Sequence, residues 1–266
     1  MADPDRQAGQ GDQAGQGDQA PTWTIGGERI RRIEAHFYPS YIDEHVRFDA
    51  WVRSYLRPGM SVLDAGAGRG LRYPHRIRDT ASRVAGADLD PAVLENPGLT
   101  DAVVADLADL PYEDASFDVI VSKYVFEHLA APLATMVELR RVLRPGGCLL
   151  IHTPNRWHYV TIAARCTPTR FHTWFNEHRE RSAADTFPTR YRANDRRTLS
   201  RLADRSGFTI ERFVAIETKP DYLFFSSVAY RMGVGYERIV NRWHVLAPLR
   251  VQLLVTMRAV GGGPDA

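Results

Sequence analysis

The sequence predicts an α/β fold, a mainly parallel sheet flanked by helices, and three observations carry that reading. Short apolar runs at Ser61 to Asp64, Arg83 to Asp88, Ala102 to Ala105, Phe117 to Ser122 and Cys148 to Thr153 alternate with helical or turn segments. The first run enters an acid followed by glycines at alternate positions, Asp64-Ala65-Gly66-Ala67-Gly68-Arg69-Gly70. Further acids, Asp88 and Asp106, stand just past the second and third runs.

Taken in chain order, residues 1–21 repeat a Gly-Gln-Gly-Asp-Gln-Ala unit with almost nothing to bury, which reads as a disordered low-complexity tail. Residues 22–57 read as an N-terminal helical cap. Ile30, Ile33, Phe37, Val46, Phe48, Trp51 and Val52 suggest helical segments broken near Pro39 and stopped by Arg57-Pro58-Gly59. Residues 58–155 hold the five runs above. Only Leu89 to Asp101 separates the second run from the third, so an intervening helix is short or lost. Leu133 to Leu143 has the spacing of an amphipathic helix, ended by Arg144-Pro145-Gly146-Gly147.

The stretch from Pro154 to Ala193 lacks clear periodicity and reads as an insertion, with 156–193 on the substrate side. Residues 194–260 complete the core. A helix capped by Asn194 and ending at Gly207 buries Leu199, Leu202 and Ala203, and Phe208 to Ile216 follows as a sixth strand. Tyr222 to Tyr230 and Tyr236 to Val245 read as helical or irregular, and Val251 to Met257 as a final strand.

Composition narrows the function classes. The formal charge of +2 offers no general attraction to a phosphate backbone, so no nucleic-acid partner is expected. Cys148 and Cys166 form no CxxC and no Cys/His ligand cluster, so no metal site is expected and the thiols read as reduced. No stretch reaches the ~18 apolar residues of a membrane span, and no apolar signal-peptide core opens the chain, which predicts a cytoplasmic protein. Nothing in the pattern sets an oligomeric state.

The chemistry is concentrated in the acids and glycines. Glycines after Asp64 let backbone approach a ligand closely. A dinucleotide fingerprint needs a small residue where Leu71 stands, and Asp64 would repel a pyrophosphate, so the expected ligand carries an amine or sulfonium. Asp88 is placed to take a ribose diol, and Asp106 with Leu107 to take an exocyclic amino group and a purine face. Together these residues describe a positively charged nucleoside.

On these residues the chain resembles the class I S-adenosylmethionine-dependent methyltransferases, in particular the small-molecule type 11 methyltransferase domain group. The resemblance runs from about Val62 to Pro154, through VLDAGAGRG, VAGADLDP, ADLADLPYEDASFDVIVS, YVFEHL and LRRVLRPGGCLLIHTPN. It implies a Rossmann-like seven-stranded mixed sheet with S-adenosyl-L-methionine as cofactor and a small-molecule methyl acceptor methylated at oxygen or nitrogen. It also implies that Asp64, Gly66 and Gly68 meet the methionine end, Asp88 the ribose, and Asp106 and Leu107 the adenine, with Ala65 and Leu89 among the cofactor-binding residues. Ser122 and Tyr124 close the pocket.

His128, in the YVFEHL run, reads either as a base or substrate contact or as a packing histidine at a helix start. Trp157, His158 and Tyr159 are candidates for the acceptor wall, in a segment that also holds His152, His172, Trp174 and His178; an inert cap is the other reading. Arg179, Arg181, Arg190, Arg192, Arg196 and Arg197 read as an anion clamp or a solvated face. Tyr38, Tyr41, His36 and His45 belong to the N-terminal cap, where they read as surface or lid groups.

Overall fold

The computed structural model describes residues 27–70, 76–166 and 187–261. The tail 1–21, Leu71, His172, Trp174, His178, Arg179 and Arg181 lie outside the described residues. Five strands run parallel: β1 (Ser61–Ala65), β2 (Arg83–Asp88), β3 (Asp101–Val104), β4 (Phe117–Lys123) and β5 (Leu143–Pro154). Then β7 (Gln252–Ala259) lies antiparallel between β5 and β6 (Phe208–Ile216). The spatial order is β3-β2-β1-β4-β5-β7-β6, one seven-stranded mixed sheet.

Central strands buried on both faces need continuous apolar runs, and β1 and β4 supply them with Val62, Leu63, Val119, Ile120 and Val121. On one face Leu63, Ile120 and Leu149 pack with Met136 and Leu139 of α3 (Pro132–Val142) and Leu199 of α5 (Arg196–Arg205). On the other, Val62, Val84, Val119 and Leu150 meet Phe48 and Val52 of α2 (Glu44–Tyr55). A third cluster joins Ile30 and Ile33 of α1 (Gly27–Phe37) to Tyr230 and Val234 of α6 (Ser227–Arg242). The strand order reverses between β1 and β4, which opens a crevice at the carboxyl ends of those strands.

Several local expectations are corrected. Arg144 to Gly147 does not separate helix from strand: β5 already pairs at Leu143 with Phe117, and the four residues bulge out before Cys148 pairs with Val119. Gly147 is obligatory there, because a Cβ would stand 2.8 Å from the Asp118 carbonyl oxygen. The cap of α5 is Asp195, which accepts from Thr198 N–H at 2.9 Å, and not Asn194, whose buried amide donates to Thr153 Oγ1 at 2.7 Å. One helix, α6, replaces the two C-terminal segments, capped by Ser226. The insertion carries a helix of its own, α4 (Tyr159–Cys166). Between β2 and β3 there is only a 3₁₀ turn, Pro91–Glu95, as the short spacing predicts.

Candidate active site

Asp64, next to last in β1, is almost fully buried, and past Ala65 the chain turns through Gly66 at φ +86° and Gly68 at φ +49°. Only glycine adopts such angles without strain. A Cβ on Gly66 would also overlap the Cγ2 of Val125, in the loop after β4. Gly66 N–H donates to the Ala87 carbonyl at 2.8 Å, which pins the turn to the end of β2. Gly68 N–H donates to Asp88 Oδ2 at 2.8 Å, and Asp90 N–H to Asp88 Oδ1 at 2.9 Å. Among the described residues, the Asp88 carboxylate is thus oriented by backbone N–H groups. Leu89 beside it is exposed.

A side chain that no sequence motif picked out completes this loop. Asn96 donates its amide to the carbonyls of Ala67 (3.2 Å) and Gly68 (3.1 Å), while its oxygen accepts from Gly98 N–H at 2.9 Å. Its one signal in the sequence is the turn dipeptide Asn96-Pro97. Past β3, Asp106 is exposed and its Oδ1 accepts from Ala108 N–H at 2.9 Å, an Asx turn. Leu107 is buried within the core cluster, so its side chain serves the sheet. Ser122 is likewise buried, its hydroxyl donating to the Ala65 carbonyl at 3.1 Å across β1 and β4.

The end of β4 carries groups of another kind. Lys123 is buried with its Nζ 3.6 Å from Asp49 of α2. Burial lowers its pKa against the opposing pull of Asp49, Asp64 and Asp43. Tyr124 follows at φ +58°, a left-handed angle rare for an aromatic residue, with its N–H donating to the His152 carbonyl at 2.8 Å. The Tyr124 ring lies 4.7 Å from the buried His152 ring and 5.5 Å from His45. His152 is therefore a residue of β5 and not of the insertion. At the start of α2, Asp43 accepts from His45 N–H at 2.8 Å, and burial raises the Glu44 pKa.

His128 stands apart from this group. Its Nδ1 is 3.3 Å from the Pro188 carbonyl, which only accepts, so Nδ1 carries a proton, and its Nε2 lies 4.0 Å from Glu127 Oε1. Burial lowers its pKa, opposed by hydrogen bonds to Pro188 and Phe187. The returning insertion is tied down beside it: Arg190 and Tyr191 N–H donate to the Glu127 carbonyl at 2.6 and 3.0 Å. The proposed acceptor wall divides. Trp157 is exposed and stacks under Arg156, whereas His158 is 1% exposed and its Nε2 lies 3.3 Å from Glu217 Oε1. Tyr159 packs edge-on against Tyr236, 5.0 Å between centroids. Arg192 donates to the Ala130 carbonyl and Arg196 lies over Phe213.

The structure therefore brings Asp64, Ala65, Gly66, Gly68, Asp88 and Asp106 to the carboxyl ends of adjacent strands, with Lys123 and Tyr124 across the crevice. The donor set fits the cationic nucleoside read from the sequence: a buried carboxylate, Asp64, with the half-buried Asp88 and the exposed Asp106, both oriented by backbone N–H groups, beside a glycine turn.

Residues 63–151 match the family described as a methyltransferase domain. A probable S-adenosylmethionine-dependent methyltransferase of Mycolicibacterium smegmatis is 38% identical over 159 residues, covering 58% of this chain and 53% of that protein. The malonyl-[acyl-carrier protein] O-methyltransferase of Serratia marcescens is 34% identical over 100 residues, 36% of this chain and 39% of that one. The chain thus spans about half the length, or less, of these curated relatives. Among solved structures, the candidate methyltransferase complexed with the Haloferax volcanii Trm112 methyltransferase activator superposes with a TM-score of 0.57 at 21% identity, covering 88% of this chain and 94% of that one. Over residues 63–151 the chain is thus similar to methyltransferase domains, on a seven-stranded mixed sheet whose fold it shares with the solved neighbour.

Proposed function

We propose that the protein transfers a methyl group from S-adenosylmethionine to an oxygen or nitrogen of a small molecule. The observation that carries the reading is the convergence of Asp64, the Gly66–Gly68 turn, Asp88 and Asp106 on one crevice edge. In it, Asp64 faces the amino-acid end, Asp88 takes the ribose diol through the oxygens that Gly68 and Asp90 orient, and Asp106 takes the adenine amine. Leu89 supplies exposed apolar surface beside the nucleoside, and Ala65 and Leu107 contribute through backbone. The bound cofactor supplies an electrophilic methyl on a sulfonium. The remaining work falls to the chain: to exclude water, hold the acceptor in line and remove its proton.

Proton removal is assigned to His128. Burial holds its pKa down, which favours the neutral ring, and with Nδ1 on the Pro188 carbonyl the nitrogen that takes the proton is Nε2, 4.0 Å from Glu127 Oε1. The acceptor lies between this histidine, Tyr124 and the Trp157–Tyr159 segment. The O-methyltransferase name of the Serratia relative supports oxygen as the acceptor atom.

The test is product formation from methyl-labelled S-adenosylmethionine with a panel of small phenols, carboxylic acids and amines. Replacing His128 by Gln should lower turnover by about 10² to 10⁴-fold and leave S-adenosylhomocysteine binding within a few-fold. The wild-type rate should fall on the acid side only below the ordinary histidine value of about 6.5. Normal turnover in His128→Gln would move the base to His45. Methylation of RNA or protein and of nothing in the panel would overturn the small-molecule reading.

A further inference from the structure

The helix α6 is apolar on two sides. Its inner side, Tyr230, Val234 and Val240, is buried, and Tyr230 and Val234 pack against α1. A surface helix with one side so occupied presents polar groups on the other. Here the outer side carries Val228 (68% exposed), Met232 (71%) and Ile239 (56%), continued by Trp243 (61%) and Val245 (81%) just past its end. At about 100° per residue these helical positions fall on one stripe, with Gly235 between them open to solvent.

The charges are also unevenly placed. Arg231, Arg238 and Arg242 are all exposed and follow one flank of the stripe. The one acid in the helix sequence, Glu237, turns toward α1, accepting from Tyr38 at 3.4 Å and Asn241 at 2.7 Å. It also pairs at 3.4 Å with Arg238, which donates to the Phe37 carbonyl, so the arginines that face outward without an acid among the described residues are Arg231 and Arg242.

We propose that this face docks on an anionic lipid surface, with α6 lying along the interface. The apolar stripe enters the acyl boundary, the arginines meet phosphates in the bidentate manner that guanidinium groups favour, and Trp243 sits at headgroup level. No described helix is long and apolar enough to cross a membrane, so the contact is with the surface. A second copy of the chain fits less well. Two-fold pairing would set identical faces together and bring arginine flanks into one interface without an acid from α6 to meet them.

The experiment is flotation of the full 266-residue chain with vesicles of phosphatidylglycerol and phosphatidylcholine in equal parts, and with phosphatidylcholine alone. Binding should be at least ~10-fold stronger to the anionic vesicles and weaken with salt, since each arginine near such a surface contributes about fivefold. The double variant Arg231→Glu/Arg242→Glu should lose that preference. Met232→Asp/Ile239→Asp should lose binding to both vesicle types. All four positions are exposed, so circular dichroism and Tm should match wild type and exclude misfolding as the cause. Three results would overturn the proposal: equal binding to the two vesicle types, a dimer in sedimentation without vesicle binding, or vesicle binding only after removal of residues 1–26.

Discussion

The two sides of the crevice are built differently. On the β1–β3 side, ligand-facing groups are set by backbone: glycine φ angles, the Gly68 N–H on Asp88, and the Asx turn at Asp106. On the β4–β5 side they are set by side chains from distant parts of the chain, His45 and Asp49 of α2 against Lys123, Tyr124 and His152. In the proposed function the first arrangement takes the cofactor, whatever the acceptor. The two sides meet where Val125 packs on Gly66 and where Ser122 donates to the Ala65 carbonyl, away from Asp49, His45 and His152.

Substitutions on the two sides should therefore fail in different ways. The largest loss of stability is expected for Gly66→Val, which forces a β-branched residue to φ +86° and onto Val125. About 3 kcal/mol is the scale of left-handed strain plus overpacking, with cofactor binding lost alongside, measured by denaturant titration and calorimetry. A stable, cofactor-binding Gly66→Val protein would break the claim that backbone geometry builds this side.

Asp49→Asn should be next, at about 2 kcal/mol, the scale for loss of a charged partner. It leaves the buried Lys123 ammonium to Asp64 and Asp43. The sign of the pH dependence follows from burial. Lys123 has a lowered pKa in the folded protein, so the unfolded chain holds its proton more tightly. The deficit should then shrink as pH rises toward that lowered value and vanish above it, where Lys123 is neutral in both folded proteins, while the stability of each goes on rising until the ordinary lysine value of about 10.5. A deficit that is flat with pH would remove Lys123 from the account. Asn96→Ala is expected to cost least, ~1 kcal/mol, while loosening the glycine turn enough to weaken S-adenosylhomocysteine several-fold. The Asp49 variant should leave that affinity unchanged.

The same contrast decides what could be read from the amino acids. The strands were legible because each is a local apolar run, and the acids and glycines because their spacing along the chain is their spacing in the site. Asn96, Asp49 and His152 were not, since their roles arise only when α2, β4, β5 and the loop before β3 meet. Asn194 has the composition of a cap yet is drawn inward by Thr153, leaving the cap to Asp195. His158 reads as a wall residue in an aromatic-rich segment, but Glu217, beyond β6, holds it in the interior. Leu107 and Ser122 sit where a motif points, with side chains occupied by core packing and by a strand-to-strand bond.

The central claim is that the backbone-built side binds S-adenosylmethionine independently of the acceptor side. Calorimetric titration of S-adenosylhomocysteine into the wild type, Asp88→Ala and His128→Gln tests it most directly. The account predicts saturable binding by the wild type, a loss of about 1.5 to 3 kcal/mol in Asp88→Ala, and an affinity within a few-fold of wild type in His128→Gln. Equal affinity in all three proteins, or tight binding of NAD with no response to S-adenosylhomocysteine, would contradict it.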